Sequence, residues 1–104
     1  MTIKELEKQL ENENLLIIYD RGVEKKYING EDYANRRLFP LENRFGIYER
    51  EDGKYVVFFT EDDRGGLEYY NNACDTESEA CDSLYKKITR LDRIYKKDGA
   101  NFLK

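Results

Sequence analysis

Histidine and tryptophan are absent from this chain, and proline and methionine occur once each. Without histidine the sequence lacks the commonest general base, the commonest metal ligand and the usual base of nucleophilic triads. No glycine-rich phosphate loop follows a strand and opens a helix. Cysteine is scarce too: Cys74 and Cys81 are too few for a disulfide framework. Placed on one helix, seven residues apart, they would stand ~10 Å from each other, beyond the ~7 Å that a bridge spans, so free thiols are expected. No apolar run approaches the ~20 residues that a membrane helix needs. The opening stretch MTIKELEKQL reads as an amphipathic helix and not as an export signal, so the expectation is a cytoplasmic location, or export by a route that leaves no signal here.

What is present points to a small packed domain. Hydrophobic residues make up 39% of the chain and charged ones 38%, so the core must be economical, and an aromatic content of 13% supplies bulk for it. The 104 residues suit one domain, 1–104. The net charge of -4 hides an uneven distribution. Residues 1–48 carry nine acids and eight bases, residues 49–82 eleven acids and three bases, and residues 83–104 two acids and seven bases.

The first helix is signalled by Thr2 and Glu5, a capping box, ahead of Ile3, Leu6 and Leu10 at helical spacing, and should run from about Ile3 to Asn12. NLLIIYD, between Asn14 and Gly22, reads as a strand buried on both faces, with VEKKYI as its hairpin partner across Asp20, Arg21 and Gly22. Asn29-Gly30 is a turn signal, and EDYANRR after it has room for one helical turn. Tyr33, Arg36, Arg37 and Phe39 in this long connection are candidate contact residues, or else the loop folds back on the sheet.

RFGIYERE, Asp52-Gly53 and KYVVFFTED form the clearest hairpin, for which a type I′ turn is expected at Asp52-Gly53. Tyr55, Val57 and Phe59 alternate with Val56 and Phe58, so this strand should be central and covered on both sides. Arg64, Gly65 and Gly66 then turn the chain into LEYYNNA, a further antiparallel strand. Thr76 and Glu79 make a second capping box, and Ala80, Leu84, Ile88, Leu91 and Tyr95 mark a helix from about Glu77 to Lys97 with Gly99 as its cap. The expected fold is α+β: an antiparallel meander of four to five strands flanked by an N-terminal helix and a long C-terminal helix.

Candidate chemistry is thin. Glu61, Asp62 and Asp63 are consecutive, whereas calcium loops space their acids at alternate positions, so no metal site is expected. Nor is a cofactor. Cys74 stands near a helix start that would favour thiolate, but Asp75, Glu77 and Glu79 oppose it, and no nucleophilic role is expected. Lys86, Arg90, Arg93 and Lys97 form a basic stripe that reads as the solvated face of the last helix, complementing its dipole, and not as a nucleic-acid contact. An enzyme is therefore not expected, nor a membrane partner. The acidic middle is the feature with the most to offer. Glu49, Glu51, Asp52, Glu61, Asp62, Asp63, Arg64, Glu68, Tyr69 and Tyr70 are the candidate partner-binding residues, a negative surface with Tyr48 nearby. Tyrosine is enriched at interfaces and opposite charge speeds docking, although the same acids also serve solubility.

The run from KYVVFFTEDDRGG through TESEACDSLYKKI resembles small bacterial immunity proteins, which neutralise toxins of polymorphic and contact-dependent secretion systems. The likeness rests on an aromatic strand ending in an acid-Arg-Gly turn, Asp63-Arg64-Gly65, and on a helix start at Thr76-Glu77-Ser78-Glu79-Ala80, and it covers about half the chain. It implies a non-catalytic cytoplasmic inhibitor of one cognate toxin domain, such as a basic nuclease whose cleft an acidic surface would block. A small regulatory or adaptor module that self-associates through its tyrosine-rich sheet is the alternative expectation.

Overall fold

The computed structural model describes residues 1–35, 43–61 and 68–102. Helix α1 spans Ile3–Asn12 and opens on the expected capping box: Thr2 Oγ1 accepts from the Glu5 amide at 3.2 Å and Glu5 Oε1 from the Thr2 amide at 3.0 Å. It closes in a Schellman motif. Asn14 takes φ 58°, its amide bonds to Glu11 O, and the Leu15 amide reaches back to Leu10 O at 2.7 Å, which buries Leu15 beneath the helix end.

Strands β1 (Ile17–Asp20) and β2 (Val23–Tyr27) form the first hairpin. Its two-residue loop, Arg21-Gly22, has φ 53° and 83°, so the turn with two left-handed residues lies here. At Asp52-Gly53, where that turn was expected, only Gly53 is left-handed, at φ 85°. Gly53 N donates to Arg50 O and Arg50 N to Lys54 O, giving a three-residue loop with glycine at its left-handed third position. Asp52 instead caps the loop, its carboxylate accepting from Arg50 Nε at 3.1 Å and the Lys54 amide at 3.2 Å. β1 also departs from expectation. It is an edge strand of four residues with Ile17 46% exposed, so only one face is buried, through Ile18.

The larger correction concerns topology. Strand order is β1-β2-β3-β4-β5, but β2 and β3 (Arg44–Glu49) run parallel, so the sheet is mixed and not a pure antiparallel meander. Parallel neighbours need a crossover, and it contains the short helix α2, Gly30–Asn35. Asn29 starts α2, its Oδ1 accepting the Glu31 amide at 2.9 Å, so the chain turns at Asn29-Gly30 directly into the helical turn for which EDYANRR has room. Two glycines admit the crossover against β3: a Cβ on Gly30 would collide with Ile47 O, and one on Gly46 with Ile28 O.

β4 (Tyr55–Thr60) is central, between β3 and the antiparallel β5 (Glu68–Cys74). Helix α3 covers Glu77–Phe102, entering with the Glu79 amide on Thr76 Oγ1 at 3.1 Å and continuing past Gly99, which therefore does not cap it. β4 separates two cores. On one face Val57 and Phe59 pack with Phe45, Ile47, Leu6, Leu10, Leu84 and Ile88, beneath α1 and α3. On the other, Val56 and Phe58 pack with Tyr48, Ile28 and Tyr33 of α2, whose ring stacks on Phe58 at 3.9 Å.

Because the obstruction at Gly30 is backbone, Gly30→Ala should cost about 2 kcal/mol, at the level of an overpacked core. Urea unfolding should show that loss in the midpoint. Gly53→Ala, which meets nothing within 4 Å and suffers only from its φ, should cost about 1 kcal/mol.

Candidate functional site

The strands place the expected site residues at two ends of the sheet. Glu49 pairs with Tyr55 and Glu68 with Thr60. Five steps of strand, roughly 17 Å, therefore separate the two groups. Glu49, Glu51 and Asp52 belong to the β3–β4 hairpin, while Glu61, Glu68, Tyr69 and Tyr70 stand at the far end. Asp62, Asp63 and Arg64 lie outside the described residues, as do Arg36, Arg37 and Phe39.

The far end is engaged internally. Arg21 Nη2 donates to Glu61 Oε1 at 2.8 Å, and Tyr69 OH donates to Asp20 Oδ2 at 2.7 Å. Lys25, 1% exposed, donates from Nζ to Thr60 O at 2.8 Å and lies over the Tyr69 ring. Burial, then Asp20, pushes the Tyr69 hydroxyl well above the usual range of a phenol. Glu68 turns inward to the second core, accepting from Tyr33 OH at 2.6 Å and from Tyr48 OH at 3.4 Å. Tyr70 is half-buried under Lys87, whose Nζ is 4.2 Å from its ring centre. Tyr33, a candidate contact residue by sequence, is core.

At the hairpin end the chain builds a cleft of about 470 Å3 between α1, the start of α2 and the rims of β3 and β4. Its carboxylates are Glu7, Glu31, Glu49 and Glu77, its aromatic walls Tyr48 and Tyr55, and among its described lining residues Lys4 is the single cation. Two of the acids are fixed by the fold: Glu7 Oε1 accepts from Tyr27 OH at 2.7 Å and Asn29 Nδ2 at 3.0 Å, and Glu77 Oε2 accepts from the Ile3 amide at 2.9 Å. Glu49 and Glu51 are exposed and have neither a hydrogen bond nor an ion pair among the described residues. Asp52 differs. Arg50 holds its carboxyl down at about 2, with help from the Lys54 amide. The field of the cleft registers on Tyr55, whose hydroxyl is raised first by Glu49, then by burial and Glu77.

Of the acids that define this cleft, only Glu49 was visible in sequence as a site residue. Glu7 comes from the middle of α1 and Glu31 and Glu77 from the first turns of α2 and α3, and each alone looks like an ordinary solvated or dipole-complementing acid. Nothing local marks their convergence. Among the described residues no group of three or more His, Cys, Asp or Glu side chains is placed to hold a metal ion. Nor is any described helix long and apolar enough to cross a membrane. Lys86, Arg90, Arg93 and Lys97 are exposed along α3, as its solvated face should be.

Both thiols are free and buried, Cys74 ending β5 and Cys81 on α3, so the premise of a shared helix does not hold. Burial, then Glu79 and Asp75, raises the Cys74 thiol, and burial foremost pushes Cys81 from 9.0 to about 11. The raised value means that the folded state keeps its proton where the unfolded chain loses it. Cys81 thus contributes its full share below pH 9 and that share is lost as pH rises toward about 11. Urea midpoints should fall through that window, and a Cys81→Ala variant should show a shallower fall. A thiol reagent at neutral pH should label neither cysteine until denaturant is added.

The chain matches no family model, no curated protein and no solved structure in these comparisons.

Proposed function

We propose that this chain is an immunity protein, which binds a cognate bacterial toxin domain in the cytoplasm of the producing cell and occludes its active site. The observation that carries the reading is the hairpin-end cleft, where four carboxylates and two tyrosines stand with a single lysine among the described lining residues. Exposed Glu49 on its lining, and Glu51 in the adjoining hairpin loop, leave negative charge open to an incoming basic surface. Such a surface is what a nuclease offers to its phosphate substrate, so the inhibitor would meet the groups that the nucleic acid otherwise meets.

Size suits the role. A cleft of about 470 Å3 admits one or two long side chains such as arginine, with the half-buried Tyr55 ring beside the guanidinium. Catalysis finds less support, since both thiols are buried and raised. The second reading, a regulatory module that self-associates through its sheet, is favoured by one observation, the exposed outer strand β5.

Co-expression with the product of the adjacent upstream gene tests the proposal. Growth should be rescued and the two proteins should co-purify. The double reversal Glu49→Lys, Glu51→Lys should weaken the complex by about tenfold or more, mainly through slower association, and raised salt should weaken the wild-type complex in the same way. Binding that ignores both salt and the reversal would remove electrostatic occlusion. Failure of every neighbouring gene product to bind would remove the immunity reading itself.

A further inference from the structure

β5 is an edge strand whose one irregularity, a register shift at Tyr69, lies at its start and leaves Tyr70 to Cys74 regular. Among the described residues it pairs with β4 alone, and its consecutive residues Asn71, Asn72 and Ala73, which alternate between faces, are all exposed. Edge strands in monomers are commonly blunted by shortness, proline, lysine or inward charge. The opposite edge, β1, is four residues long and ends on Asp20. β5 has seven residues, neither proline nor lysine, and one charge, Glu68, at its first position.

Ladder alternation identifies the backbone groups on the outer side. The bond from Arg50 N to Lys54 O makes those two a hydrogen-bonded pair. By alternation Tyr48/Val56 and Gly46/Phe58 are hydrogen-bonded pairs, and Tyr55, Val57 and Phe59 turn their amides and carbonyls toward β5. Their partners Cys74, Asn72 and Tyr70 face β4. Asn71 and Ala73 therefore present their N–H and C=O groups outward.

We propose that β5 is a self-association edge: two copies of this chain join β5 to β5 in antiparallel about a two-fold axis at Asn72, forming one continuous ten-stranded sheet. In this register Asn71 faces Ala73 of the second copy as a doubly hydrogen-bonded pair, repeated by symmetry. Asn72 meets its own equivalent, and Tyr70 lies opposite Cys74 of the second copy. Within the strand no charge meets its like, because Glu68 falls beyond the paired segment.

The helix layer supplies the charge complementarity that selects a second copy as the occupant. A two-fold axis perpendicular to the sheet keeps both α3 helices on one side and sets them antiparallel. Asn72 Nδ2 bonds to Ser83 Oγ at 3.3 Å and Lys87 lies over Tyr70, so the flank of α3 beside this edge carries Glu79, Ser83 and Lys87. With Ser83 near the axis, Glu79 and the exposed Asp82 approach Lys86 and Lys87 of the second copy, and the reverse. The acidic start and basic continuation of α3, which repel in a parallel pair, attract in this one.

Sedimentation analysis of the full chain at tens of micromolar in low salt decides the matter without any toxin. The mass should be that of a dimer, weakening as salt rises. Ala73→Pro deletes the outward amide, leaves the bonds to β4 intact, and should raise the dimer dissociation constant by at least about tenfold. Asn72→Lys, which sets two like charges on the axis, should do the same and decides the question if the proline variant does not fold. A wild-type monomer at these concentrations would overturn the proposal, as would a dimer that persists unchanged in a folded variant.

Discussion

Everything in this fold depends on β4 being buried on both faces. Val57 and Phe59 point one way and Val56 and Phe58 the other, and all are nearly or fully inaccessible. Each such side chain contributes about 1.5–3 kcal/mol when covered, and leaving either set wet would forfeit several kcal/mol of a typical marginal stability. Two layers must therefore be found within a short chain. Amphipathic helices α1 and α3 supply the first. The second comes from the β2–β3 crossover, where Tyr33 of α2 lies flat on Phe58 and Gly46 leaves room beside that ring.

That second layer also makes the cleft. Bringing α2 close enough to stack Tyr33 on Phe58 requires Gly30 against the backbone of β3, and the approach sets Asn29 and Glu31 beside Glu7 of α1. Glu77, at the start of α3, holds the first amide of α1 and completes the acidic wall. At the other end of the sheet the described acids Glu61, Asp20 and Glu68 are satisfied at home, by Arg21 on the first and by tyrosine hydroxyls on the other two. Acids of equal formal charge thus play opposite parts, and the difference lies in which of them the fold supplies with donors.

Sequence reasoning did best where the signal was local. The Thr2 capping box, the two-sided alternation of YVVFFT and the Thr76 helix start each depend on residues a few positions apart, and all reappear as read. It failed where a decision was made at a distance. Asp52-Gly53 has the composition of a type I′ turn, but Arg50 and Lys54 draw Asp52 into a capping role, and the two-residue left-handed turn falls on Arg21-Gly22. Asn29-Gly30 was legible as a turn, but not why it holds glycine: Gly30 lies where a Cβ would collide with Ile47 O. The parallel pairing of β2 and β3 left no mark, since Lys26, Tyr27, Arg44 and Phe45 would suit either direction. The acidic candidates were read as one surface because they are near in sequence, and β4 holds their two halves apart.

Native-state hydrogen exchange on a Tyr33→Ala variant tests the claim of two-sided dependence most directly. If α2 is the indispensable second cover of β4, protection should fall together at the β4 amides of Val56 through Phe59 and across α1 and α3, by the same free energy as the global loss of stability. A fall confined to residues 30–35, with β4 as protected as before, would show that the strand does not need its second layer and would contradict the account.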